Sequence, residues 1–135
     1  MPSQIELVPK ASWDADTFGD PLVIDTCPTK RLALIASLHV VALWNCVTGE
    51  VEQHIRFPEK ISSASFHPSG NHMLIGFGDK LRLANVLVDA VETFWEVKTR
   101  LCVDCKFNKR GTHFATISGL SIEVSCVCNV CTCSF

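Results

Sequence analysis

An all-β fold of about three repeated antiparallel units is what this 135-residue sequence predicts, and three observations carry it. The turn Phe66-His67-Pro68-Ser69-Gly70 returns about 40 residues later as Phe107-Asn108-Lys109-Arg110-Gly111, and Cys27-Pro28-Thr29-Lys30-Arg31 stands about 40 residues before it. After each turn come two short apolar runs, in the same order and at the same spacing. No stretch sustains a helical period between capping residues.

Residues 1–18 are read as an N-terminal lead. Residues 1–10 carry Gln4 and Glu6 and lack an apolar centre, so they do not resemble a secretory signal. The expected setting is therefore reducing and intracellular, with cysteines as thiols or metal ligands.

The first unit covers 19–58. Residues 32–36 form a continuous apolar run suited to a buried strand, residues 40–44 form a second, and Thr48-Gly49-Glu50 turns the chain into 51–57. The uncharged stretch 32–49 has the length of a short spanning helix, but Ser37, His39, Asn45 and Thr48 interrupt it. The repeat reads it as two strands, and no membrane segment is expected.

The second unit covers 59–98. Its runs at 73–77 and 80–84 flank a tight turn, Gly78-Asp79-Lys80, in which Asp79 is expected to bond nearby backbone. Lys80 and Arg82 alternate with Leu81 and Leu83 and are expected to form a solvated strand face. Gly76-Phe77-Gly78 is two-thirds of a phosphate-loop fingerprint. It lacks the third glycine and a following helix, so a strand-ending turn is the better reading.

The third unit, 99–124, is partial, with runs at 114–117 and 120–124, and an atypical Cys-rich tail, 125–135, replaces the strand that should complete it. A four-stranded unit repeating near 40 residues is a β-propeller blade. The expected architecture is an incomplete propeller of about three four-stranded antiparallel blades, the third truncated. The expected origin is a truncated, alternatively spliced or mispredicted product.

Composition narrows function. Twelve Lys and Arg against fourteen Asp and Glu give a net charge of −2 with no basic run, which excludes a nucleic-acid footprint and a polybasic membrane patch. Hydrophobic residues at 47% with 19% charged exclude a disordered chain. The five histidines, His39, His54, His67, His72 and His113, are scattered, and none sits in a nucleophile motif. No enzyme and no cofactor are expected.

The cysteines offer two motifs. Cys126, Cys128, Cys131 and Cys133 have the spacing CxCxxCxC, and four thiolates can complete a tetrahedral zinc site. In an extended chain, however, Cys126 and Cys128 share one face and Cys131 and Cys133 the other, so one ion requires a reversal at Asn129-Val130. The plainer reading is a tail whose cysteines have no common role. Cys102 and Cys105 form a CxxC on the first strand of a blade, without the βαβ setting of a redox motif. Three apart on a strand they point to opposite faces, and are read as separate buried structural thiols. Cys27 and Cys46 are read as core. Trp44 is expected to pack between blades. Phe94 and Trp95, on an outer strand, are expected to pack against a neighbouring blade, or, where exposed, to serve as partner contacts.

Val41-Ala42-Leu43-Trp44-Asn45 followed by Thr48-Gly49-Glu50 resembles the end of a WD repeat, with Asn45 where the family usually has Asp. Phe66-His67-Pro68-Ser69-Gly70 resembles the turn after the first strand of such a repeat. Trp44, Asn45, Pro68, Gly70, Asp79 and Gly111 are accordingly the expected structural-repeat positions. Gly76-Phe77-Gly78-Asp79-Lys80-Leu81-Arg82-Leu83, then Leu87 and Asp89, then Arg100-Leu101-Cys102-Val103-Asp104-Cys105-Lys106-Phe107, resembles an axonemal family of ciliary WD-repeat proteins over about residues 19–124. The resemblance implies a non-enzymatic scaffold of the cilium or flagellum axoneme or cytoplasm. It further implies support of inner dynein arm assembly or regulation, with axonemal or dynein-arm proteins as partners. Open blade edges suggest self-association as well. The alternative function is a small thiol-rich zinc-binding protein that uses the tail.

Overall fold

The computed structural model describes residues 12–27, 29–87, 90–99 and 101–127. A one-turn helix, α1 (Ala15–Phe18), precedes eleven strands: β1 (Val23–Cys27), β2 (Leu32–Ala36), β3 (Val40–Asn45), β4 (Val51–Arg56), β5 (Ile61–Phe66), β6 (His72–Phe77), β7 (Lys80–Val86), β8 (Val91–Lys98), β9 (Cys102–Phe107), β10 (His113–Ser118) and β11 (Ser121–Cys126). They form three antiparallel meanders, β1-β2-β3-β4, β5-β6-β7-β8 and β9-β10-β11. Strand β5 lies against β1 on one side and β9 on the other, so the three sheets pack face to face along their first strands.

The middle sheet is buried on both faces, which explains its near-continuous apolar strand His72-Met73-Leu74-Ile75-Gly76-Phe77. Met73, Ile75 and Phe77 pack toward the first sheet with Leu34, Val41, Leu43, Phe57, Ile61 and Phe66. Leu74, Leu81 and Leu83 pack the opposite way, with Cys102, Cys105, Phe107 and Phe114 of the third sheet. Alternation on one strand therefore joins two cores. Outer strand β4 alternates between half-buried and exposed, and β8 is exposed along most of its length.

The far face of the first sheet is partly covered by the lead. Asp14 caps α1 by accepting from the Asp16 and Thr17 N–H groups. Phe18 packs edge-on against His54 at 5.3 Å, its carbonyl accepts from Ser37 Oγ at 2.6 Å, and Trp13 stacks on Trp44 at 6.4 Å. Trp44 thus has its ring contact with the lead, where a place between blades was expected. Register decides this: Trp44 pairs with Ala33 and so shares the face opposite the one that meets the second sheet.

Lys80 and Arg82 also differ from expectation. Their side chains are only 16% and 18% exposed, and both are paired rather than solvated. Glu59 Oε1 accepts from Lys80 Nζ at 2.8 Å and from Arg82 at 3.2 Å, while Glu96 takes Arg82 Nε at 3.3 Å. The Arg82 guanidinium also lies 5.0 Å from the centre of the Phe77 ring. Alternation placed these residues on the right face, but the two carboxylates arrive from a linker and an outer strand.

The Lys80 ammonium bond to Glu59 holds that carboxyl below its ordinary value of 4.5. A depressed carboxylate pKa means that the unfolded chain binds more protons, so this stabilisation is present above the ordinary value and is lost as pH falls through the folded one. The unfolding midpoint is expected to drop between about pH 5 and about pH 3, and to drop less steeply in Glu59→Gln. Thermal melts of both proteins across that window check it; parallel curves would remove Glu59 from the acid response.

Candidate functional site

The repeat positions build the turns on which the sheets meet. Asn45 Oδ1 accepts from the N–H groups of Val47 and Thr48 at 2.8 and 3.0 Å, closing the turn at Thr48-Gly49. The Pro68 carbonyl accepts from Cys27 Sγ at 3.3 Å, across the first two sheets. Gly70 is buried, and a β-carbon there would come within 3.0 Å of Cys27 Sγ. Gly111 repeats the arrangement one sheet on, with the His67 imidazole against it. Asp79 is exposed in its turn and contributes backbone there, its carbonyl accepting from the Thr99 N–H at 2.9 Å. Gly76 is not a turn residue. It lies within β6, where a β-carbon would sit 2.7 Å from Cys102 Sγ, so glycine allows the third sheet to approach.

Phe94 and Trp95 are 55% and 40% exposed, and burial against the next blade is only partial. They lie at the lip of a groove between the second and third sheets. A cavity of about 250 Å³ opens there, lined by Leu83, Phe94, Trp95 and Phe114 among others. Six rings meet in succession around it: Phe94 with His72 at 6.1 Å, His72 with His67 at 5.5 Å, His67 with Phe107 at 5.1 Å, Phe107 with Phe114 at 5.9 Å, and Phe114 with Trp95 at 6.4 Å. The chain of contacts begins and ends on adjacent residues.

Neighbours on a regular strand point to opposite faces, so Phe94 and Trp95 can share a groove only through an irregularity. The register supplies it. Leu83 pairs with Trp95 and Ala84 with Thr93, leaving Phe94 as the extra residue of a bulge.

The same device overturns the reading of the CxxC. Ile117 pairs with Asp104 and Ser118 with Cys102, so Val103 is the extra residue. Cys102 and Cys105 consequently share the face toward the second sheet, 1% and 4% exposed, and Cys102 Sγ donates to the Asp104 carbonyl at 3.9 Å. The neighbouring Cys105 thiol draws the Cys102 thiol down to about 7, while its neighbour and burial push Cys105 well up. One signal could have found this. The preceding repeat has apolar Ile61 and Ala64 at the matching places, and β5 bulges there too, at Ser62.

Of the tail cysteines, Cys126 ends β11 and is half-buried, whereas Cys128, Cys131 and Cys133 lie outside the described residues, as do Asp89, Arg100 and Pro28. Among the described residues no three His, Cys, Asp or Glu side chains converge as a metal cluster would require. None of the described helices is long and apolar enough to cross a membrane.

Meandering antiparallel sheets packed through their first strands, with a glycine turn between each pair, define a WD-repeat protein of the β-propeller class. The fold superposes on the C-terminal WD40 domain of Sif2 with a TM-score of 0.62 at 11% identity, over 76% of this chain and 33% of that one, a likeness of fold alone. The chain is homologous to cilia- and flagella-associated protein 57. It is 37% identical to the Mus musculus protein over 102 residues and 31% identical to protein 57 A of Tetrahymena thermophila over 100 residues, which is 75% and 73% of this chain. It spans about 8% of the length of those curated relatives. No family model matches.

Proposed function

We propose that the chain is a non-enzymatic, protein-interaction scaffold of the cilium or flagellum, working at the axoneme in the assembly or regulation of inner dynein arms. The observation that carries the interaction reading is the aromatic groove. Aromatic side chains exposed at the rim of a partly desolvated pocket are the usual anchors of protein interfaces, and Phe94 and Trp95 stand at such a rim. The homology to cilia- and flagella-associated protein 57 supports the ciliary setting and the axonemal partners. The exposed apolar side chains of the third sheet, among them Leu120, Ile122 and Val124, support a further contact with another sheet, self-association included.

The test is proximity labelling in ciliated cells with the wild-type chain and with Phe94→Ala and Trp95→Ala. Wild type is expected to label axonemal dynein-arm proteins. Each variant is expected to bind the recovered partner about 30-fold more weakly, the loss of a contact of about 2 kcal/mol, while its unfolding midpoint stays close to wild type. Equal affinity in all three would move the interface off the groove, and labelling outside the cilium would overturn the setting.

A further inference from the structure

We propose that the outer edge of β11 takes an extended segment of a partner protein as a fourth strand, antiparallel to β11, and that the segment carries a basic residue between two apolar ones. This edge is a surface apart from the aromatic rim at Phe94 and Trp95, and its role rests on the same reading of the chain as an interaction scaffold. In the first two sheets the third strand is covered by a fourth, β4 on β3 and β8 on β7. Strand β11 has β10 on one side and, among the described residues, no strand on the other. In an antiparallel pair alternate residues turn their backbone groups toward the neighbour. The Val127 N–H donates to the Thr112 carbonyl at 2.7 Å. By that alternation Ser125, Glu123 and Ser121 also face β10, and Ile122, Val124 and Cys126 turn their N–H and C=O groups to the open side. Glu123 is the one charge along the strand, which has no proline, so little guards this edge.

The second sheet shows what such a strand must look like, because its pairing matches residue for residue. Leu74, Ile75 and Gly76 of β6 pair with Leu83, Arg82 and Leu81; Ala115, Thr116 and Ile117 of β10 pair with Val124, Glu123 and Ile122. Ile122, Glu123 and Val124 therefore stand where Leu81, Arg82 and Leu83 stand. There the fourth strand sets Val97 opposite Leu81, Glu96 opposite Arg82 and Trp95 opposite Leu83, and Arg82 Nε donates to Glu96 at 3.3 Å. In the third sheet the sign at this place is reversed, so the residue that completes the pair is Lys or Arg. Leu81 and Leu83 are 2% and 9% exposed, whereas Ile122 and Val124 are 74% and 61% exposed. Apolar residues on either side of the cation remove part of that surface from water. The same charge argues against a second β11 at this edge. Two β11 strands paired antiparallel through these groups bring their Glu123 side chains directly opposite or diagonally adjacent, where like charges repel. Main-chain bonds hold the partner segment and its alternate side chains select it, the mode in which a peptide extends a sheet.

A dye-labelled peptide, Val-Thr-Val-Lys-Val-Thr flanked by Gly and Ser, is titrated with the purified, reduced full chain and followed by fluorescence anisotropy. Saturable binding is expected. The same peptide with Glu in place of Lys is expected to bind about tenfold more weakly, since an attractive cross-strand pair becomes a repulsive one. In Glu123→Lys the preference is expected to reverse, with an unfolding midpoint close to wild type. Methylation of the backbone nitrogen of the valine before the lysine removes a main-chain donor to Val124, and is expected to weaken binding by about fivefold. Equal affinity for the lysine and glutamate peptides would overturn the proposal, as would a lysine preference that survives in Glu123→Lys. So would the absence of saturable binding, the result expected if residues of this chain or of a second copy already hold the edge. If Glu123→Lys fails to fold, the two peptides on the wild-type chain decide the matter alone. No ciliary partner and no groove variant enters the experiment, so its failure leaves the aromatic groove and the ciliary setting standing.

Discussion

Phe77→Ala is expected to cost about 3–5 kcal/mol, a large part of the roughly 5–15 kcal/mol that holds a domain of this size folded. The ring is completely buried at the end of β6. It meets Phe57 edge to face at 5.3 Å, and so links the linker after the first sheet to the middle of the second. The guanidinium of Arg82 sits over its face, and Lys80 lies 5.9 Å from the ring centre. Truncation therefore removes the buried area of a large side chain, an aromatic pair and the apolar platform under a pair of scarcely exposed cations. Those cations remain bonded to Glu59 and Glu96, so the cost falls on packing rather than on ion pairing. Urea unfolding followed by circular dichroism measures it, with Phe77→Leu as the companion that keeps most of the volume and is expected to lose less than about 2 kcal/mol. A loss below about 1 kcal/mol for the alanine variant would mean that the first two sheets are not packed through this ring.

The sequence carried the large features because they depend on periodicity. Runs such as Leu32-Ala33-Leu34-Ile35-Ala36 and the alternation Lys80-Leu81-Arg82-Leu83 report burial directly, and the recurring turn reports the unit. What periodicity cannot report is a bulge, because one extra residue leaves composition unchanged and reverses the facing of everything beyond it. The facing of Cys102 against Cys105, and of Phe94 against Trp95, turned on bulges at Val103 and Phe94. Both bulges fall at the places singled out for chemistry or recognition, where local rules are most often set aside. Contacts from outside the strands were equally hidden. Trp13 reaches Trp44 from a lead with no repeat counterpart, and Glu59 reaches Lys80 from a linker. Gly76 was read as part of a strand-ending turn because a glycine that lets another strand approach reads the same as one that turns the chain.

Gly111→Ala tests the meeting of the second and third sheets, and a loss of about 3 kcal/mol is expected from two separable causes. The first is backbone: Gly111 has a φ of 72°, and a side chain held in the left-handed region costs about 1–2 kcal/mol. The second is the neighbour. A β-carbon there would run into the His67 imidazole, whose Nδ1 accepts from the Ser69 N–H at 3.1 Å, so that Nε2 carries the proton and donates to the Gly111 carbonyl at 2.9 Å. The ring must swing away, and an inter-sheet hydrogen bond of about 1 kcal/mol goes with it. Gly119→Ala isolates the first cause, since its φ is 61° and nothing lies within 4 Å of the added carbon. It is expected to cost only the backbone share. His67→Ala isolates the second, and the double variant His67→Ala/Gly111→Ala is expected to lose about 1 kcal/mol less than the two single losses added together, because the obstructing ring is already gone. Chemical unfolding of the four proteins closes the cycle. Strict additivity would mean that His67 does not reach Gly111 in solution and that the two sheets meet elsewhere. Coupling of the expected size would place the joint at the glycine of the repeated turn, the position where Gly70 receives Cys27 and Lys30 from the sheet before it.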